Sequence, residues 1–152
     1  MPDFPHHYSV SAAALVDGDV ELCSPRLATL RSAPPTEFGG PGDRWSPETL
    51  LVAAVADCFV LSFRAIARAS RFQWSTIDCE AIGTLDRVER ITQFTAFELR
   101  VRLMIPPECD VEQARRLLDK AEQLCLISNS LKAVIHLEPE IECLTASVNS
   151  RP

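Results

Sequence analysis

The sequence predicts an α+β fold. Three observations carry that reading: a mid-chain helix apolar on almost every side, two long strand segments directly after it, and strand-like runs at both ends. The expected order is strands, central helix, strands, helix, strands, with no β-α-β alternation.

The first region, from Tyr8 to Ala33, holds short β-rich runs broken by Asp17-Gly18-Asp19 and Ser24-Pro25, which reads as a meander of two or three strands. Residues 34–43, PPTEFGGPGD, concentrate Pro and Gly and can continue neither strand nor helix, so an ordered loop is expected. A helix must then begin at Ser46-Pro47-Glu48. The serine can accept a backbone N–H bond, proline suits the first turn, and the glutamate charge favours the positive helix end. It should run to about Ser70, and between Leu50 and Phe63 its apolar character is interrupted mainly by Asp57 and Ser62. Such a helix needs cover on all sides. One sheet covers one face, so a second copy of the chain is the economical cover for the rest.

Two strands are expected over Thr76–Glu89 and Thr92–Ile105, joined by a hairpin around Val88 to Ile91. Asp110 can cap a second helix whose apolar positions, Val111, Ala114, Leu117, Leu118, Ala121 and Leu124, follow helical spacing, with an end near Cys125. Ser128-Asn129-Ser130 reads as a turn. Residues 133–137 and 141–148 supply one or two closing strands around Pro139.

At 152 residues the chain is expected to form one domain over 1–152, large enough to fold without disulfide staples. A composition of 47% hydrophobic and 24% charged residues excludes a disordered or fibrous protein. With a net charge of −6 and no basic stripe, no nucleic-acid partner is expected. The N-terminal residues show no export pattern, and the longest uncharged apolar run, Leu50 to Ala56, is too short for a bilayer; a cytoplasmic protein without membrane association is expected. Its six cysteines should then be mostly reduced thiols. The His6-His7 pair lacks a nearby ligand cluster, so no metal is expected.

Two segments carry the chemistry: residues 46–59, SPETLLVAAVADCF, and residues 125–130, CLISNS. One thiol lies inside the apolar helix and the other ends the second helix. Together with the glycine-rich loop before them, these segments resemble the signature of the OsmC/Ohr family, the osmotically inducible and organic-hydroperoxide-resistance proteins. That pattern is a Gly-rich loop, (S/N)PE, an Ala-rich helix ending in A-x-C-F, and a distant C-x-x-SN. The resemblance runs from about Phe38 to the end of the chain.

Its implications can be stated residue by residue. Cys58 is the peroxidatic cysteine, Cys125 the resolving cysteine and Glu48 the carboxylate that supports the site. The implied fold has antiparallel sheets wrapped around the two central helices of an intertwined homodimer, and the implied activity is thiol-dependent reduction of organic hydroperoxides. No resident cofactor is expected, and the implied reductant is an external dithiol such as a lipoyl protein. In the family an arginine pairs with the glutamate, but this chain has Phe38 or Gly18 where that arginine is expected. Arg44, which directly precedes the helix, is the favoured substitute, with Arg31 next. Two further departures are Leu126, where the family has proline, and Asp57, where it has a small residue.

The chemistry requires these residue types independently of the resemblance. A thiolate splits the peroxide bond to leave a sulfenic acid, which a second thiol converts to a disulfide. An apolar peroxide favours an apolar pocket, for which Phe59, Leu61, Phe63 and Leu126 are at hand. Cys58 lies too deep in its helix for the N-terminal dipole to activate it, so a cation is needed. Glu48 and Cys58, ten residues apart on one helix, are separated by about 15 Å along its axis, so if both serve one site Glu48 comes from a partner subunit or acts through a long arginine, and two sites at a dimer interface are expected. Cys23, Cys79, Cys109 and Cys143 read as structural. A non-turnover peroxide sensor and an apolar-ligand-binding stress protein are the alternative functions on the same fold.

Overall fold

The computed structural model describes residues 3–145 and divides into two compact units, a first ending at Leu51 and a second beginning at Val52. The first unit contains a three-stranded antiparallel sheet, β1 (Ser11–Ala13), β2 (Val20–Cys23) and β3 (Leu30–Ser32), in the order β1-β2-β3. This is the expected meander. After it the chain makes a single 3-10 turn, Thr36–Phe38, closed by Gly39 in the left-handed region at φ 83°. Next to it Gly40 passes so close to the Pro34 carbonyl that a Cβ would lie 1.6 Å from its oxygen, which only glycine permits.

Helix α1 (Pro47–Ala69) starts where the sequence places its cap. The Thr49 amide donates to Ser46 Oγ at 3.1 Å and the Ser46 amide donates to Thr49 Oγ1 at 2.8 Å, a reciprocal cap that satisfies two helix-end donors. From Val52 onward α1 belongs to the second unit, with β4 (Thr76–Val88), β5 (Ile91–Ile105), α2 (Val111–Leu124), the one-turn helix α3 (Leu126–Asn129) and β6 (Val134–Cys143).

The β4-β5-β6 sheet is mixed. β4 and β5 form the expected antiparallel hairpin, but β6 runs parallel to β5, with Ala96 opposite Val134 and Ile105 opposite Cys143. Two expectations are corrected here: the sheets are not all antiparallel, and β5-α2-β6 is a β-α-β crossover. The long connection through α2 carries the chain back to the start of the sheet, so the last strand can re-enter in the same direction. Of the one or two closing strands expected, the chain forms one, which runs through Pro139. β6 is an edge strand, where a missing N–H is tolerated. Of the strand expected to Val148, positions 146–148 lie outside the described residues.

One face of this sheet is apolar and carries the core: Phe97, Leu99, Val101, Leu103 and Ile105 are buried along β5. The other face is charged, with Arg100 between Glu80 and Glu138 and Arg102 held by two 3.0 Å bonds to Glu142. Val52 approaches Gly83 so closely that a Cβ there would lie 2.8 Å from Val52 Cγ2, so α1 crosses the apolar face where glycine leaves room. Val55, Phe59, Phe63 and Ala67 form the helix stripe that is completely buried. By length and composition α1 would suffice to cross a bilayer, which the uncharged run alone does not suggest. One stripe of it is completely buried, and Asp57 lies exposed near its middle.

Candidate active site

A second stripe of α1 lies beside the buried one. Ala54, Asp57, Cys58, Leu61, Ser62 and Ala65 recur at helical spacing and, with Leu126 and Ile127 of α3, line a cleft of about 470 Å³. Cys58 is half-buried in its wall. Of the four residues expected to line an apolar pocket, Leu61 and Leu126 do so. Phe59 and Phe63 belong instead to the buried stripe, one helix position round, and serve the core.

Cys125 sits at the junction of α2 and α3 with an extended backbone, φ −65° and ψ 106°, and is completely buried. The Asn129 amide donates to the Cys125 carbonyl at 2.9 Å, so residues 126–129 form a helical turn instead of the open turn expected for Ser128-Asn129-Ser130. That turn brings the buried Ser128 hydroxyl to Cys125 Sγ, to which it donates at 3.3 Å. Burial pushes the Cys125 thiol above its ordinary range, hydrogen bonds from the Ser128 side chain and backbone pull it down, and the neighbouring Cys58 thiol pushes it up. The two sulfurs, 67 positions apart in sequence, therefore stand within interaction range. All six cysteines are free thiols.

A third sulfur joins them. Cys79 faces the apolar side of β4, and its thiol is pushed up to about 11, first by burial and then by the charge that Cys125 would carry. The sequence pattern pointed to a structural role alone for Cys79. The strand alternation that turns it inward was visible, but not which helix end it meets.

Glu48 and Arg44 lie in the first unit. Glu48 Oε2 is buried without a hydrogen-bond partner, beside a cavity of about 220 Å³ lined by Val20, Ala33, Pro35 and Phe38 among others. Arg44 is engaged elsewhere: its Nε donates to Asp19 Oδ2 at 2.9 Å and its guanidinium stands 3.2 Å from Asp43 Oδ2. The hydrogen bond and charge of Asp19 raise its pKa further and hold it cationic. Arg31 lines a separate cavity with Asp17, Asp19 and Glu21.

The family model described as OsmC-like protein matches residues 40–140, a span that holds Glu48, Cys58 and Cys125. The chain belongs to the OsmC-like family. Peroxiredoxin OsmC of Escherichia coli is 29% identical over 97 residues, covering 64% of this chain and 67% of that protein. An OsmC-like protein of unknown function from Vibrio cholerae has the same fold, with a TM-score of 0.83 at 17% identity over 90% of this chain and all of that one. An organic hydroperoxide resistance protein OsmC from Legionella pneumophila superposes with a TM-score of 0.72 at 22% identity over 92% of this chain and 99% of that one. In this OsmC-like chain the cleft beside Cys58 has a lining with one carboxylate, Asp57, and no cation among the described residues.

Proposed function

We propose that this OsmC-like protein is a thiol-dependent peroxidase that reduces organic hydroperoxides to alcohols. The observation that carries the reading is the approach of the buried Cys125 thiol to Cys58, which is half-buried in the wall of a largely apolar cleft. The similarity to a protein named peroxiredoxin adds support.

The Cys58 thiolate attacks one peroxide oxygen. An S–O bond forms as the O–O bond breaks, the alkoxide leaves and takes up a proton to become the alcohol, and Cys58 is oxidised to a sulfenic acid. The Cys125 sulfur then attacks Cys58 Sγ. The S–S bond forms as the hydroxyl departs as water, with Ser128 stabilising the attacking thiolate. An external dithiol, of which a lipoyl protein is one form, restores both thiols by exchange and is itself oxidised to a disulfide. No resident cofactor enters this sequence. The cytoplasm, where thiols are kept reduced, suits it.

The working form in this proposal is an intertwined homodimer. Leu61 is 50% and Leu126 66% exposed at the cleft rim, apolar surface that a second copy would cover. The second copy would also bring its own Glu48, whose orphan carboxylate oxygen suits a guanidinium, and its own Arg44 as the assisting cation once released from Asp19.

Reduced protein incubated with an organic hydroperoxide tests the proposal. A rapid Cys58–Cys125 disulfide with turnover that depends on a dithiol is the expected outcome. Disulfide without turnover would point to a peroxide sensor, and no disulfide to a binder of apolar ligands. Full activity in a strictly monomeric protein would overturn the shared site.

A further inference from the structure

The connection between β1 and β2 holds a guanidinium that comes from elsewhere in the chain. Gly18 sits there in the left-handed region at φ 100°, which glycine adopts readily and other residues rarely do. An arginine at position 18, one of the two places where the resemblance expects it, would be strained. The next residue brings a guanidinium to the same connection: Asp19 Oδ2 accepts from Arg44 Nε at 2.9 Å, and Asp43 Oδ2 stands 3.2 Å from Arg44 Nη1. Val20, directly after Asp19, lines the cavity of Glu48 together with Pro47 and Phe38. Asp19, Arg44 and Glu48 all belong to the first unit.

Glu48 Oε2 is buried without a partner, and a desolvated carboxylate oxygen is costly until a donor or cation meets it. Arg44 precedes Glu48 by four positions. Four residues of extended chain span at most about 14 Å, and the span is shorter here because Pro47 and Glu48 are already helical. A long arginine and a glutamate side chain can bridge that gap. The hold on Arg44 is weak in comparison, because Arg44 and Asp19 are both partly exposed and such a pair biases an equilibrium by only about 1.5-fold to fivefold.

We propose that Asp19 is a positioning residue for Arg44: it holds the guanidinium at rest beside β2, from which Arg44 moves to the orphan oxygen of Glu48 and completes the peroxidatic site. This rests on the peroxidase reading above and assigns the control of its assisting cation. One ion pair is exchanged for another, so loss of the Asp19 charge favours the Glu48-bound position and loss of the Glu48 charge favours the resting one.

Asp19→Asn should raise kcat/KM for an alkyl hydroperoxide about twofold to fivefold. Alkylation of Cys58 by iodoacetamide at neutral pH, with no peroxide present, should accelerate by a similar factor. Adding Glu48→Gln to Asp19→Asn should cancel both gains, and Asp19→Glu, which keeps the charge, should show neither. In isotope-labelled protein the Arg44 Nε–Hε resonance, assigned by its loss in Arg44→Lys, should shift in Asp19→Asn and shift again when Glu48→Gln is added. No gain in Asp19→Asn, a gain that Glu48→Gln leaves intact, or a resonance insensitive to Glu48→Gln would overturn the exchange while the peroxidase reading stands. If the resonance and the alkylation rate respond as expected but no variant consumes peroxide, the peroxidase reading falls and the exchange remains. Should Asp19→Asn fold poorly, Glu48→Gln alone decides the question: it should move the Arg44 resonance of the otherwise unaltered protein, and an unmoved resonance would overturn the proposal.

Discussion

The buried Ser128 hydroxyl donates a hydrogen bond of 3.3 Å to Cys125 Sγ, in the turn that follows α2. A donor stabilises thiolate over thiol, so this contact lowers the Cys125 pKa against the burial that raises it. In Ser128→Ala the Cys125 pKa should rise, because its thiolate loses a donor. Disulfide formation after a pulse of peroxide should slow about tenfold, with the initial oxidation of Cys58 unchanged. Rapid-quench mass spectrometry separates the two steps, and equal disulfide rates in both proteins would remove Ser128 from the resolving step.

Removing either sulfur should give different chemical fates. Cys58→Ser should lose peroxidase activity by about a thousandfold or more, since an alcohol is a far weaker nucleophile than a thiolate. Cys125→Ser should retain one oxidation per chain and then accumulate sulfinic and sulfonic acid at Cys58, because the resolving thiol is gone and Cys79, its thiol pushed up to about 11, stays protonated and a weak substitute. Intact-mass measurement across a peroxide titration distinguishes them. If Cys125→Ser still turned over with a dithiol at the native rate, the reductant would be attacking the sulfenic acid directly.

Cys79 should make the fold sensitive to alkali. Its thiol is about 9 when unfolded and pushed up to about 11 when folded, so the native state favours the protonated form. A group raised in this way contributes stability that is fully present below pH 9 and is lost as pH rises through about 11. Cys125, also raised, acts in the same direction. Denaturant midpoints should therefore fall between pH 9 and 11, and the fall should be shallower in Cys79→Val. An identical pH profile in that variant would show that the alkaline loss arises elsewhere.

At Gly83 α1 lies close against the sheet. A Cβ there would lie 2.8 Å from both Val52 Cγ2 and Phe94 Cε1 and 3.0 Å from Phe97 Cε1. Gly83→Ala should destabilise the protein by about 1–3 kcal/mol through overpacking, despite the better strand propensity of alanine. Urea unfolding measures it. A stability gain would mean that Val52 and Phe94 yield more easily than their packing suggests.

Local rules determined much of the protein directly from its residues. Ser46 and Pro47 set the start of α1, Asp110 caps α2 with a 2.9 Å bond from the Glu112 amide, and the expected β4–β5 hairpin matches the observed strands within one residue at each end. The segments around Cys58 and Cys125 likewise announced the family before the fold was known. Capping, turn chemistry and side-chain periodicity act within a few residues, so they survive translation from sequence to structure.

Only the tertiary structure decided the rest. Because α1 is apolar around most of its circumference, periodicity could not tell the stripe of Phe59 and Phe63, sunk in the core, from the stripe of Cys58 and Leu61 that lines the cleft. The direction in which β6 returns depends on the crossover through α2, which no local pattern encodes. The approach of Cys79 to Cys125 depends on a helix end meeting a sheet face formed by residues far away in the chain. Such choices follow from which surfaces bury best against one another, a balance settled by the whole packed chain.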